Sequence, residues 1–216
     1  MNYRTIDMSK FPRRAHFEYF RSLAYPYVGI TANVDITDFL NAVKSCALPF
    51  YDTLCYCVTR AANSVPEFRQ RICGDGIIEY EYCQSSHTVA LPDGTYCYCS
   101  ADSSLPFEEY LPDVLAKTER AKANASIEEE EDVDSLFFIS CVPWISYTSV
   151  IQPTPYPADS NPRFNWGKYF ENNGRILLPL AVLCNHALVD GLHIARFYDA
   201  LDRELRELTH QLRDKV

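Results

Sequence analysis

Long apolar runs are missing from this chain of 216 residues. A membrane-spanning helix needs about 20 consecutive apolar residues, and no stretch of the sequence approaches that length. The opening segment MNYRTIDMSKFPRRAHF carries charges but lacks the apolar core of a secretory signal peptide. We therefore expect neither a membrane span nor a secretory leader.

Glycine and basic residues are also scarce. Only 7 glycines are present, while apolar residues make up 47% of the chain, which is typical of a globular protein with a substantial core. The 29 acidic residues outnumber the 20 lysines and arginines, so the net charge is −9. Because nucleic-acid binding needs clustered positive charge, we expect no nucleic-acid partner. One local basic patch would still suffice to bind a phosphorylated cofactor.

Cysteine is abundant, with nine residues, but its pattern argues against disulfides and against zinc. The number is odd, and the chain is longer than the small secreted proteins that depend on disulfides. Cys55 and Cys57, like Cys97 and Cys99, are spaced C-x-C, whereas zinc sites usually show C-x-x-C pairs. We interpret the cysteines as reduced thiols that pack like small apolar residues, and we expect no metal and a cytoplasmic location.

Apolar periodicity and turn residues predict helices mixed with pairs of strands. Helices are predicted over 13–22, over 35–65 with a break at Pro49, over 105–124 and over 191–212. Strands are predicted over 25–37, 69–83 with a turn at 74–76, 87–100 with a turn at 92–94, 135–152, 165–170 and 174–186. The acidic run at 126–134 is predicted to be a solvated loop or helix end.

The order of these elements predicts the fold class. Strand pairs and helices do not alternate strictly, so we expect an α+β two-layer sandwich with a mixed β-sheet covered by helices. The segment 174–186 is apolar on both faces, as expected of a central strand. The last predicted helix has one apolar stripe, formed by Ile194, Phe197, Leu201, Leu205, Leu208 and Leu212. No repeat or linker is present, so we expect residues 1–216 to form one domain.

The segment CNHALVDG, residues 184–191, places two polar side chains where the last strand meets the last helix. His186 is either a core histidine satisfied by the backbone or a general base at the end of a strand, and its pattern alone leaves both possibilities open. Asp190 is either the N-cap of the helix or an ion-pair anchor for the turn. His193 is expected to be a packing or surface residue rather than a second base.

The His-x-x-x-Asp-Gly pattern followed by an amphipathic helix resembles the chloramphenicol acetyltransferases. The resemblance extends along the chain, from MNYRTIDMSKFPRRAHFEYFRS through VDIT, VPEFRQRI, CVPWISYTS and NWGKYF to LLPLAVLCNHALVDGLHIARF. It implies the fold of the CoA-dependent acyltransferases, with acetyl-CoA as co-substrate and chloramphenicol as acceptor. It also implies a homotrimer whose active sites lie between subunits.

The same resemblance implies roles for individual residues. His186 matches the catalytic histidine, which would take the proton from the acceptor hydroxyl, and Ser140 matches a serine that donates a hydrogen bond to the oxyanion. Asp190 matches an aspartate that pairs with an arginine near the N-terminus, here Arg13. That pair would support the site without touching the substrate.

A Lys-Tyr segment of the family matches Lys168 and Tyr169. In the family this segment lies in the CoA-binding region. A lysine near the ribose phosphate of CoA would supply the local positive charge that an acidic protein otherwise lacks.

Several positions depart from the family pattern. Asn185 stands where a second histidine is usual, and Asn165 stands where many members have a threonine that holds a water molecule. Phe20 replaces a common tyrosine, and Val150 and Gln152 replace bulkier apolar residues. The expected acceptor pocket comprises Phe20, Ala24, Tyr25, Tyr96, Phe138, Val150, Gln152 and Asn165.

These departures leave two alternatives open. The chain could perform the same chemistry on a different small or hydrophobic alcohol, because a changed pocket can change the acceptor. It could also be a non-catalytic binding protein of the same fold. Retention of His186, Ser140, Asp190 and Arg13 together argues against a binding protein, which would not need all four.

Overall fold

A computed structural model of the chain describes residues 2–128 and 132–214. The centre of the acidic run, residues 129–131, lies outside the described residues. The α-helices are Arg14–Arg21 (α1), Thr37–Ser45 (α2), Phe50–Asn63 (α3), Phe107–Ala123 (α4) and Gly191–Arg213 (α5). The strands are Tyr3–Thr5 (β1), Tyr27–Asp35 (β2), Gln70–Cys73 (β3), Gly76–Tyr80 (β4), Gln84–Ala90 (β5), Tyr96–Ala101 (β6), Leu136–Val142 (β7), Arg163–Gly167 (β8), Phe170–Asn172 (β9) and Arg175–Asn185 (β10). None of the described helices is both long enough and apolar enough to cross a membrane.

The main sheet is mixed, as the sequence predicts. Its strand order is β2-β10-β8-β7-β5-β6, with β9 also paired to β10. The pairs β5–β7 and β7–β8 are parallel, and the other pairs of this sheet are antiparallel. The apolar β10 pairs with β2 along nine residues and with β8 on its other side, so it lies inside the sheet. The predicted α+β sandwich is therefore confirmed.

A second, smaller sheet has the order β1-β4-β3. The predicted turn between β3 and β4 is present, and Gly74 adopts a φ of +57° there, which favours glycine. The strand β1 has no clear signal in the sequence. It forms because its backbone pairs with β4, with Tyr3 opposite Tyr80.

The core lies between the main sheet and the helices. All six residues of the predicted stripe on α5 are buried. Phe197 from this stripe packs against Phe164 of β8 and against Phe68, with ring centroids 5.0 and 5.6 Å apart. Truncating a buried phenylalanine to alanine costs about 3–5 kcal/mol, so this contact fixes α5, and the turn before it, against the sheet.

One strand prediction is wrong in its extent. The segment 135–152 was expected to be extended, but β7 ends at Val142. Pro143 follows directly, and proline cannot donate a backbone hydrogen bond to a neighbouring strand. The chain then crosses the sheet as an irregular loop over residues 143–162, which we call the crossing loop.

His87 of β5 is an unusual member of the core. Its side chain is 1% exposed, and neither ring nitrogen has a hydrogen-bond partner among the described residues. The ring lies 5.8 Å from that of Tyr51 in an edge-on contact. Burial lowers the pKa of His87 to about 4, because a charged imidazole is poorly solvated in an apolar environment.

This burial predicts a loss of stability in mild acid. An unfolded histidine has a pKa of about 6.5. Between that pH and about 4, His87 therefore binds a proton in the unfolded chain but not in the folded chain, which favours unfolding. Lowering the pH from about 7.5 to about 5 should cost the parent roughly 2 kcal/mol of unfolding free energy through His87. Urea unfolding of the parent and of His87→Leu, at equal protein concentration, measures the difference. An identical pH dependence in both proteins would contradict the prediction.

Candidate active site

His186 begins the turn that links β10 to α5. Its backbone N–H donates to the carbonyl of Pro26 over 2.7 Å, and its ring stacks on Phe20 with centroids 3.8 Å apart. The ring nitrogen Nδ1 lies 2.8 Å from the carbonyl oxygen of Val189. A carbonyl only accepts, so Nδ1 carries the hydrogen, and the lone pair of the neutral ring is on Nε2.

The environment of this ring bears on the two interpretations of His186. The side chain is half-buried, and among the described residues no hydrogen-bond partner engages Nε2. His87 shows that a core histidine of this protein can also leave its nitrogens unpaired within the described part of the chain, but His87 is 1% exposed whereas the His186 ring is only half-buried. The geometry of His186 suits a general base.

Asp190 is both an N-cap and an ion-pair partner. Its carboxylate accepts from the backbone N–H of Leu192 over 3.0 Å and also pairs with Arg13. Burial alone would raise its pKa, but the neighbouring His193 and Arg13 outweigh this and hold the pKa of Asp190 below its ordinary value. The expected pairing of Asp190 with Arg13 is therefore present.

His193 is buried rather than exposed, and it completes this cap. It is 5% exposed, and its Nδ1 accepts a hydrogen bond of 3.0 Å from the backbone N–H of Asp190. Burial is the main reason why the pKa of His193 is lowered. The neutral ring accepts this hydrogen bond through Nδ1, whereas the protonated ring would pair with the Asp190 carboxylate, whose Oδ1 lies 3.2 Å from Nδ1.

Ser140 and Asn165 share the face of the sheet that points away from the helices. They are opposite each other on β7 and β8, and their neighbours Ile139 and Phe164 are buried in the core. Since successive side chains of a strand alternate between faces, Ser140 and Asn165 lie on the other face. The hydroxyl of Ser140 is 3.2 Å from that of Thr88 on β5.

Tyr147 of the crossing loop is a polar neighbour that the sequence did not single out. Its hydroxyl donates to Asn165, with 2.7 Å to Oδ1 and 2.8 Å to the backbone oxygen. The close approach depends on Gly167, since a Cβ there would lie 2.9 Å from the Tyr147 ring. The sequence offered one signal for this neighbour, because Tyr147 is an aromatic residue within the family segment CVPWISYTS.

Within one chain, His186 and Ser140 do not meet. Ser140 is opposite Asn165, Asn165 is opposite Ala181, and His186 follows Ala181 by five positions along the chain. With about 3.3 Å per residue along a strand and about 4.8 Å between strands, the two side chains are separated by roughly 15–20 Å. A single subunit therefore holds the two groups apart.

The expected acceptor-pocket residues divide in the same way. Phe20 contacts the His186 ring, and Ala24 and Tyr25 follow it in the exposed segment before β2, where Tyr25 lies 5.1 Å from Tyr27. These three residues are on the His186 side.

The other five lie over the face that carries Ser140. Phe138 and Tyr96 have the strand positions of that face, as does Asn165. Val150 and Gln152 line a cleft of about 170 Å³ between the crossing loop and the strands β2 and β10. Pockets that bind drug-sized ligands usually measure about 300–1,000 Å³, so this cleft is smaller than such a pocket.

Lys168 and Tyr169 connect β8 to β9. The backbone N–H of Lys168 donates to Ile145 over 2.8 Å, and its side chain is exposed. The ring of Tyr169 lies 5.8 Å from that of Phe50, and the ammonium of Lys44 is 5.9 Å from its centroid. Lys44, which the sequence analysis did not select, adds a second positive charge to this patch.

The cysteines are thiols, and the one beside Ser140 is a poor nucleophile at neutral pH. All nine cysteines are among the described residues and are free. Burial raises the pKa of Cys141, the neighbour of Ser140, to about 11, so its nucleophilic thiolate form is rare at neutral pH. Across residues 2–128 and 132–214, no group of three or more His, Cys, Asp or Glu side chains could hold a metal ion.

Comparison with known proteins was made at three levels. The profile of the chloramphenicol acetyltransferase family matches residues 1–202. Chloramphenicol acetyltransferase 3 of Escherichia coli is 30% identical over 207 residues, which cover 93% of this chain and 96% of that protein. A chloramphenicol acetyltransferase of Clostridium butyricum is 28% identical over 223 residues, which cover 99% of this chain and 98% of that protein.

Solved structures agree on the fold. A chloramphenicol acetyltransferase has a TM-score of 0.81 at 24% identity, covering 94% of this chain and all of the other. A catalytic core of the 2-oxoacid dehydrogenase complex from Thermoplasma acidophilum has a TM-score of 0.69 at 21% identity, covering 90% of this chain and 94% of that one. The resemblance expected from the sequence is confirmed.

The double role of Asp190 predicts a graded effect of its removal. Asp190→Ala loses the cap and leaves Arg13 without its carboxylate, so it should cost roughly 1–3 kcal/mol of unfolding free energy. Asp190→Asn keeps a capping oxygen and should cost about 1 kcal/mol less. Chemical denaturation measures both, with Glu18→Gln, which breaks the exposed pair with Arg14, as a control expected to change little. Equal losses in the two Asp190 variants would show that the cap contributes nothing.

Proposed function

The chain belongs to the chloramphenicol acetyltransferase family, and we propose that it transfers the acetyl group of acetyl-CoA to a hydroxyl group of chloramphenicol. The protein is an acyltransferase. The observation that carries the proposed mechanism is the geometry of His186, where the hydrogen bond from Nδ1 to Val189 leaves Nε2 available as a base. Acetyl-CoA supplies an activated acetyl thioester, so no acyl-enzyme is required.

His186 removes the proton from the acceptor hydroxyl as that oxygen attacks the acetyl carbon. The tetrahedral intermediate then breaks its C–S bond, and the proton held by His186 passes to the sulfur, so that CoA leaves as the thiol and the acetyl ester remains on the acceptor. The stack on Phe20 and the hydrogen bonds to Pro26 and Val189 hold the ring still. A fixed base and two bound substrates provide much of the rate through positioning alone.

Ser140 donates its hydroxyl hydrogen to the oxyanion that forms in this attack. Thr88, 3.2 Å away, orients the hydroxyl. Asn165 has its oxygen engaged by Tyr147 and keeps an amide group that can donate, either directly or through a water molecule. This is the role in which it replaces the family threonine.

Two subunits complete each site in a homotrimer. The separation of His186 from Ser140 within one chain supports this arrangement. Both residues act on the same reacting atoms, which they could not reach together from a single subunit. The crossing loop also exposes large apolar side chains, among them Trp144, Ile151 and Tyr156, of which 77%, 94% and 95% are accessible. Apolar surface of this extent is typical of an interface.

The proposed CoA site and acceptor site are argued from where their residues lie in the fold. Lys168 and Tyr169 bind CoA, supported by the exposed patch that they form with Lys44. The acceptor lies between the Phe20 side of one subunit and the Phe138 side of the next. One core cluster, which includes residues from Phe17 to Leu212, supports a single domain over residues 1–216, and the nine free thiols support a cytoplasmic location.

Release of CoA thiol in the presence of chloramphenicol tests the function. Ser140→Ala should lose about 2.7–4 kcal/mol of transition-state stabilisation, a fall of roughly 10²–10³ in kcat, and His186→Ala should lose at least as much. Thiol release that is unchanged in His186→Ala would exclude it as the base. If chloramphenicol reacted no faster than simple alcohols, the acceptor would be wrong while acetyl transfer stood.

Co-expression of the two inactive variants tests the shared site. In a mixed trimer, the intact His186 of one subunit meets the intact Ser140 of another, so equal amounts should restore about a quarter of the parent's activity. Mixing the two proteins without subunit exchange is the control and should restore none. No activity in verified mixed trimers would place both residues in one subunit's site.

If Lys168 contacts the ribose phosphate of CoA, removing its charge should weaken binding of acetyl-CoA in a way that depends on that phosphate. Lys168→Gln should raise KM for acetyl-CoA roughly fivefold, because one partly screened charge pair is worth about 1 kcal/mol, and leave kcat nearly unchanged. The effect should shrink with a donor lacking the 3′-phosphate. Lys117→Gln, which removes a lysine paired with Asp113 on α4, is the matched control. A KM increase of the same size with both donors would contradict a phosphate contact.

A further inference from the structure

A second ion pair lies close to the turn that carries His186. Arg163 donates two hydrogen bonds to Asp159, of 2.8 Å to Oδ1 and 2.6 Å to Oδ2. The side chains of Arg163 and Asp159 are 10% and 22% exposed, and the guanidinium lies 5.2 Å from the ring centroid of Phe138. Two-pronged pairs of this kind are stronger and more directional than single contacts. Asp159 in the crossing loop is therefore held in one place.

Tyr27 links this pair to the strand beside the turn. Its hydroxyl donates to Asp159 Oδ1 over 2.9 Å and accepts from the Asp159 backbone N–H over 3.0 Å. Burial, together with the Asp159 charge, raises the pKa of Tyr27, so it stays protonated as a donor. Tyr27 follows Pro26, whose carbonyl accepts the backbone N–H of His186.

Asn185 links the same loop to the turn itself. Its amide nitrogen donates to the backbone oxygen of Asp159 over 2.9 Å, and its amide oxygen accepts from the backbone N–H of Ala187 over 3.0 Å. Asn185 and Ala187 are the residues on either side of His186. With only 2% of Asn185 exposed, water does not compete for these hydrogen bonds.

We propose that Asp159, fixed by Arg163, is a positioning residue for His186 and acts through Asn185 and Tyr27. This inference rests on the proposed function, in which His186 is the base. Asp159 contacts neither the imidazole nor the reacting atoms. It fixes the position of the backbone at Asn185 and His186, where the turn leaves β10.

Each of the two ion pairs stabilises one end of the turn that carries His186. Arg13 and Asp190 hold the end that enters α5, whereas Asp159 and Arg163 hold the end that leaves β10. Misplacing a catalytic group by about 1 Å can cost roughly 10²-fold in rate. Releasing either end is therefore expected to reduce turnover.

The test replaces both charges at once, Asp159→Asn with Arg163→Gln, because removing one partner would leave the other charge buried and could prevent folding. We expect kcat to fall about 10–100-fold, while KM for acetyl-CoA and for chloramphenicol changes less than about twofold. The control is Glu204→Gln with Arg60→Gln, a pair of 2.7 Å between α5 and α3 in which Glu204 is 20% exposed, close to the value for Asp159, while Arg60, at 37%, is more exposed than Arg163. It should keep the parent's kcat.

A cycle with Asn185→Ala tests the route. If Asp159 acts through Asn185, adding Asn185→Ala to the Asp159/Arg163 double variant should lower kcat little further than the more damaging of the two changes does alone. Losses in kcat that multiply would show independent effects and would overturn the proposed route.

The outcomes separate this inference from the proposed function. Full activity in His186→Ala would overturn the proposed function and this inference with it. A large loss in His186→Ala, together with an Asp159/Arg163 double variant as active as the Glu204/Arg60 control, would overturn the positioning role alone. A rise in KM with unchanged kcat would make the pair a substrate contact and would also overturn it.

Discussion

A hydrogen bond of 2.8 Å joins the ring nitrogen Nδ1 of His186 to the carbonyl oxygen of Val189, three residues further along the chain. It forms because the backbone leaves β10 at Asn185 and turns within a few residues into α5. With Nδ1 committed as donor, the lone pair of the neutral imidazole is on Nε2. The roles assigned to Ser140, to the two ion pairs and to the substrate pockets all presuppose that orientation, because the opposite tautomer offers the acceptor no base.

The turn keeps its shape because the elements on both sides of it belong to the core. β10 pairs with β2 along nine residues, and α5 buries one apolar stripe against the sheet. Two side chains near the turn satisfy backbone groups there, since Asp190 caps α5 and Asn185 bridges to the backbone of Asp159. A short polar turn between two rigid elements is a common way to place a catalytic group.

The sheet face that points away from the helices carries the second group of residues of the proposed site. Ser140, Thr88 and Asn165 form a polar row on this face, far from the His186 of the same chain. The crossing loop covers part of that face but leaves apolar side chains such as Ile151 exposed. A second copy would cover those side chains and bring its own His186 to the row, so assembly and catalysis would depend on the same contact.

Local features of this protein were determined by the sequence itself. The stripe on α5, the break at Pro49, the glycine turn after β3 and the cap at Asp190 each depend on residues within a few positions of one another, so spacing and side-chain chemistry suffice to predict them. The family resemblance selected His186, Ser140 and Arg13, but their roles remain predictions.

Only the tertiary structure decided which of these residues are neighbours. It placed Tyr147 on Asn165, tied Asp159 to Asn185, left the ring nitrogens of His87 without a hydrogen-bond partner in the described part of the chain, and separated His186 from Ser140. The two contacts join residues 18 and 26 positions apart, and all four features depend on strand register and on the path of the crossing loop. Register is set by the packing of the whole sheet, which no short stretch of sequence encodes.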